Sequence, residues 1–173
     1  DMVLFNRCKE DMPLSGWKRS IRAVNRMCQM AFEDENGDEL EVEDILPYDL
    51  ERDHIDLEDP DYGIWYLDSM DHLERYVGKN IQFLAMVLKP EEYPDGYFVP
   101  GRMAMTCCAD DTAFIGFLCK SSHVDELKNK QWVTITAKAY VEKRAEYSGE
   151  NGVVLRATHI TSAEKPEEEL VYF

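Results

Sequence analysis

The most reactive string in the sequence is Gly101-Arg-Met-Ala-Met-Thr-Cys-Cys-Ala-Asp-Asp111. It sets two thiols, Cys107 and Cys108, beside two carboxylates, Asp110 and Asp111. Thiolate sulfur and carboxylate oxygen together can ligate zinc. The spacing is not that of a standard closed site. Successive residues of an extended chain point to opposite faces, so Cys107 and Cys108 share one ion only on a turn. A disulfide between neighbours needs a strained ring. The competing explanation is packing, with one cysteine turned inward as a small apolar side chain and the other incidental. Arg102 is placed to pair with Asp110 or Asp111 at the surface, an interaction worth under about 1 kcal/mol.

Other patterns are weaker. From Phe32 to Glu43, residues Asp34, Asn36, Gly37 and Glu43 fall where a calcium loop has ligands or its glycine, but Phe32 replaces the first acid. A hairpin through Asn36-Gly37 explains the same residues more simply. Lys18, Arg19, Arg22 and Arg26 crowd one face of a helix expected from Trp17 to Asn25, close in sequence to an acidic run that can neutralise them. The four histidines are scattered, and no nucleophile elbow or Gly-rich phosphate loop is present. Nothing here completes an active site, so the fragment alone is not expected to be an enzyme.

The elements that must position these residues are mostly strands. Strand-like runs are expected at 79–89, 96–106, 113–119, 131–142 and 152–160. Residues 131–141 alternate cleanly, with Val133, Ile135, Ala137, Ala139 and Val141 on one face. A short helix is expected around 124–128. Residues 63–67 read as an apolar run, followed by a short helix from Asp68 or Ser69 to about Tyr76 that Gly78 stops. Five strands with a helix between the third and fourth is the order of an OB-type barrel. The fold class is therefore α+β, mostly β. Residues 111–119, if extended, span about 26 Å, which puts Cys119 and His123 at the far end of the barrel from Cys108.

Charge narrows the partners. The chain of 173 residues carries 35 acidic and 19 basic residues, a net of −16. Residues 33–74 hold 18 of the acids against the single basic Arg52, a local net of −17. A surface this negative repels a polyanion and gains nothing from counterion release, so no nucleic-acid partner is expected. The longest apolar stretch, Ala113 to Cys119, is strand-sized, so no membrane insertion by this fragment is expected. Five cysteines without regular spacing argue for a reducing compartment, the cytoplasm. The opening Asp1-Met-Val-Leu-Phe5 reads as the middle of a buried strand, so a piece of a longer protein is expected.

Two resemblances add to this. The stretch from Tyr76-Val-Gly-Lys-Asn80 through Gln131-Trp-Val-Thr-Ile-Thr136 to Pro166-Glu-Glu-Glu-Leu-Val-Tyr-Phe173 resembles an uncharacterised bacterial domain. That domain occurs as the soluble C-terminal part of permease-associated membrane proteins. Its hallmark, Arg-x-x-x-Thr-Cys-Cys-x-x-Asp, is met by Arg102, Thr106, Cys107, Cys108 and Asp111. The N-terminal stretch resembles the tail of a CobW-type GTPase, a family linked to metal delivery. Asn6 stands at the start of its guanine-recognition motif Asn-Lys-x-Asp, although Arg7 and Lys9 replace the Lys and the Asp.

The resemblances imply a three-part organisation. Residues 1–37 would be the tail of a GTPase-like α/β domain, 38–62 an acidic linker, and 63–173 the OB-like Cys-Cys domain. The parent would be a CobW-like protein that binds GTP, with Asn6 as the guanine contact left in this piece. The implied function is a non-catalytic accessory module in zinc handling, with Cys107, Cys108, Asp110 and Asp111 as ligands and a metal-client protein or a permease as partner. The alternative is a protein-interaction domain associated with a membrane permease, its cysteines structural.

Overall fold

A computed structural model describes residues 46–105 and 112–172. Eight strands share one sheet: β1 (His54–Asp56), β2 (Asn80–Leu88), β3 (Tyr97–Met105), β4 (Thr112–Gly116), β5 (Leu118–Lys120), β6 (Trp132–Arg144), β7 (Glu150–Ser162) and β8 (Leu170–Tyr172). One α-helix, α1 (Tyr62–Asp71), precedes β2.

The alternation that marked these strands also closes them into a barrel. In β2, Ile81, Phe83, Ala85 and Val87 point inward; in β6, Val133, Ile135, Ala137 and Ala139 do the same. Inward and outward faces are thereby fixed, and with them the register. The hydrogen-bonded path runs β2–β6–β7–β5–β3, and pairing of Met86–Leu88 with Val99–Gly101 joins β3 back to β2. β5 lies parallel to β7, while the other barrel neighbours are antiparallel. β4 and β5 both pair with β3 and are one long strand interrupted at Phe117. The result is a mostly β, five-stranded OB-like barrel.

Two expectations need correction. The apolar run 63–67 is helical, because Tyr62, Trp65, Tyr66, Ser69 and Met70 recur at helical spacing and all face the core. A five-residue apolar run has no period of its own, so strand and helix look alike in sequence. The helix expected at 124–128 is a single 3-10 turn, Val124–Glu126. Gly78 does end the helical region, at a φ of +80° that favours glycine.

The acidic segment read as a linker is part of the fold wherever it is described. β1 pairs in parallel with the start of β2, Ile55 opposite Ile81. Tyr48 donates a 2.7 Å hydrogen bond to the Tyr76 hydroxyl, which donates to Asp68 at 2.5 Å. Asp68 also accepts from Arg75 at 2.8 Å. The core itself is aromatic. Trp65 sits 5.1 Å from Phe83 and 5.3 Å from Phe117, centroid to centroid, and small side chains at Ala85, Ala104, Ala137 and Ala139 make room for these rings. Each buried ring contributes roughly 1.5–3 kcal/mol of burial free energy.

Candidate functional site at the β3–β4 end of the barrel

Residues 106–111, with Cys107, Cys108, Asp110 and Asp111, lie outside the described residues, as do Asn6, the helix expected at 17–25 and the segment 32–43. What the structure fixes is the frame around the thiol string. β3 and β4 pair antiparallel from Gly101 opposite Gly116 to Met105 opposite Thr112. The string therefore connects two directly opposed strand ends, Met105 and Thr112.

The hairpin is tight at its base. A Cβ on Gly101 would stand 2.3 Å from the Ile115 carbonyl oxygen, and one on Gly116 would stand 2.6 Å from that of Pro100. Only glycine lets the two strands approach this closely. On the other side of β3, β8 runs parallel to it, with Met105 opposite Tyr172.

Arg102 is the main surprise. Expected at the surface, it is fully buried. It points inward on β3, between the turn that enters α1 and the segment that leads into β8. Nη1 donates to the Asp59 carboxylate at 2.7 Å and Nη2 to the Glu168 carbonyl at 3.0 Å, with the Trp132 ring 5.3 Å from the guanidinium carbon. A buried cation is tolerated only with such compensation. Asp59 stands in the 3-10 turn Asp59–Asp61 that leads into α1. One side chain thus ties together the helix entry, the C-terminal strand and the strand that carries the thiol string. Nothing in local spacing announces this, since the partners are 43 and 66 residues away.

Cys119 is remote from the string. It pairs with Phe98, seven residues before Met105 on β3, or about 23 Å along the strand. It is fully buried, and burial pushes its thiol pKa far above the ordinary range. His123 is exposed beside Glu126 in the turn after β5. Among the described residues, no three His, Cys, Asp or Glu side chains are grouped to hold a metal ion. The donor types in 106–111 are those that fit zinc.

Two spaces stand out among the described residues. One apolar space of about 20 Å³, lined by Tyr66, Phe117, Tyr147 and Val153 among others, has room for about one water. An open groove of about 420 Å³ runs along Tyr48, Asp49, Arg52, His54, Asp56, Glu58 and Asp61. Its Arg52 and His54 already pair with Asp49 and Asp56.

These features define an OB-like barrel with a glycine-based hairpin, buttressed by a buried arginine, that carries a thiol-carboxylate string at one end. The chain belongs to the DUF1980 C-terminal domain family, which matches residues 32–173. No curated protein matches it. Among solved structures, the mitochondrial single-stranded DNA binding protein Rim1 of S. cerevisiae is similar at 12–13% identity, with 51% of this chain and 97% of that one covered and TM-scores of 0.31 and 0.32. A replication protein A heterotrimer bound to ssDNA is similar at 9% identity, with 50% of this chain and 58% of that one covered and a TM-score of 0.28. At those scores the likeness assigns no partner or activity. Among the described residues, no helix is long and apolar enough to cross a membrane.

Proposed function

We propose that this chain is a non-catalytic accessory module that presents Cys107, Cys108, Asp110 and Asp111 as a zinc-binding loop. The observation that supports it most directly is the antiparallel register that sets Met105 opposite Thr112, so that residues 106–111 join two opposed strand ends. Soft sulfur and hard oxygen donors on one turn suit zinc better than they suit magnesium or calcium. Cys119, buried and paired opposite Phe98, is not counted among the thiols of this site. In this reading the parent is a CobW-like GTP-binding protein of the cytoplasm, with Asn6 as its residual guanine contact. The partner is a metal-client protein or a permease, and nucleic acid is not bound.

Competition with a chromophoric zinc chelator tests the proposal. The reduced protein is expected to take up one zinc, and Cys107→Ser and Cys108→Ser should each release it at chelator concentrations the wild type withstands. Cys119→Ala should leave uptake unchanged. Zinc uptake that survives the double serine variant, or no uptake by the wild type, contradicts the proposal.

A further inference from the structure

The outer wall of the barrel carries a row of cationic side chains that crosses from strand to strand. Strand register places Asn80 of β2 opposite Lys138 of β6, Lys138 opposite Arg156 of β7, Arg156 opposite Lys120 of β5, and Lys120 opposite Tyr97 of β3. This single row crosses all five barrel strands, and three cations sit side by side in it.

Cross-strand neighbours of like charge destabilise a sheet, and here two such pairs share Arg156. The chain has almost twice as many acids as bases, so pairing each cation would be easy. Yet neither Lys120 nor Lys138 has a carboxylate partner among the described residues. The nearby carboxylates Glu142 and Glu146 are engaged by Arg156 and Arg144, each at 2.9 Å. A surface kept only for solubility has little use for three neighbouring cations, two of them without a carboxylate partner among the described residues, in a protein of net charge −16.

We infer that this row is a docking surface for an extended acidic segment of a partner protein. Adjacent strands lie about 4.8 Å apart, so Lys138, Arg156 and Lys120 span about 10 Å. Alternate side chains of an extended peptide repeat about every 6.8 Å, so two carboxylates of such a segment fall within the span. The row's aromatic surroundings favour a peptide over a nucleic acid. Guanidinium groups already cover both tyrosines beside it, Arg144 lying 4.4 Å from the Tyr97 centroid and Arg156 lying 4.3 Å from that of Tyr140. Bases that bind a single-strand groove stack on free aromatic faces, and both of these rings already carry a cation, Tyr97 with Lys120 5.7 Å from its centroid as well. The large net negative charge also repels a long polyanion more than a segment with two or three carboxylates. The inference does not depend on zinc binding, because the row is built entirely from described residues away from the β3–β4 end.

The test uses fluorescence anisotropy with three labelled probes: an Asp/Glu-rich peptide, a Gly/Ser peptide of equal length and an oligothymidylate. The full chain is expected to bind the acidic peptide alone, and added salt should weaken that binding. Lys120→Gln combined with Lys138→Gln should weaken it roughly five-fold or more, as loss of two surface pairs implies, while Lys128→Gln leaves it unchanged. Neither lysine makes a hydrogen bond or ion pair among the described residues, and Lys120 gives up only its contact 5.7 Å from the Tyr97 centroid, so the thermal midpoint of the double variant should fall by no more than about 4 °C. Equal binding of the two peptides, no binding of the acidic one, or oligothymidylate binding as tight as the peptide's would overturn the inference.

Discussion

Arg102→Met is the most informative single substitution, because it removes one fully buried cation and every bond that this cation makes. Lost with it are the 2.7 Å bond to Asp59, the 3.0 Å bond to the Glu168 carbonyl and the stack on Trp132. Hydrogen bonds to a charged group contribute about 1.5–3 kcal/mol each. Two corrections reduce that sum. Asp59 is 41% exposed and can regain water, and methionine fills much of the volume without the desolvation cost of a guanidinium. A net loss of about 2–3 kcal/mol remains, which corresponds to a fall of about 5–10 °C in Tm for a chain of this size. Urea unfolding at constant m measures it, and hydrogen exchange locates it. Amides of Leu170 and Val171 in β8 should lose protection before those of β6. Arg102→Lys should fall between, since one ammonium cannot serve both acceptors as a fork does. Stability within about 0.5 kcal/mol of wild type for Arg102→Met, with β8 protection intact, would refute the view of Arg102 as the anchor of the C-terminal strand.

Three further outcomes are expected. Gly101→Ala should cost at least about 2 kcal/mol in urea unfolding, because the new methyl meets the Ile115 backbone oxygen, which moves only with β4 itself. Tyr147→Phe should cost about 1–2 kcal/mol, since the Tyr147 hydroxyl donates to the Val153 carbonyl at 2.5 Å and accepts from the buried Leu118 amide at 3.3 Å. Burial raises the pKa of Tyr62, Tyr66 and Tyr147 far above the ordinary phenol value and that of Tyr93 to about 12. The fold favours the neutral phenols, so their contribution is complete below about pH 10 and is lost as pH rises beyond it. Alkaline titration of phenolate absorbance should therefore show a group of tyrosines that ionise only as the protein unfolds, and full ionisation of a still-folded protein would count against this.

The barrel was legible because its strands alternate. Val133, Ile135, Ala137 and Ala139 face inward as their spacing predicted, and the five expected runs match β2, β3, the β4–β5 pair, β6 and β7 within two or three residues. What escaped the sequence was set by tertiary pairing. β1 and β8 are three residues each, too short to show a period, and exist because the open edges of β2 and β3 accept them. The interruption at Phe117 follows from β4 and β5 pairing with different stretches of β3, which no local pattern records. α1 starts at Tyr62, earlier than the cap expected at Asp68 or Ser69, because its apolar run is shorter than two helical turns and shows no period. Burial of Arg102 was invisible because Asp59 and the carbonyls of 168 and 169 reach it only after the barrel closes. The candidate ligands were legible as residue types alone, and what the structure describes is the pair of opposed strand ends, Met105 and Thr112, that they join.

X-ray absorption at the zinc edge, on reduced protein loaded with one equivalent, tests the zinc-loop claim most directly. Two sulfur scatterers at about 2.3 Å with oxygen at about 2.0–2.2 Å are expected, and the sulfur shell should vanish in the Cys107→Ser, Cys108→Ser double variant. A first shell of oxygen and nitrogen alone, identical in wild type and variant, would contradict it.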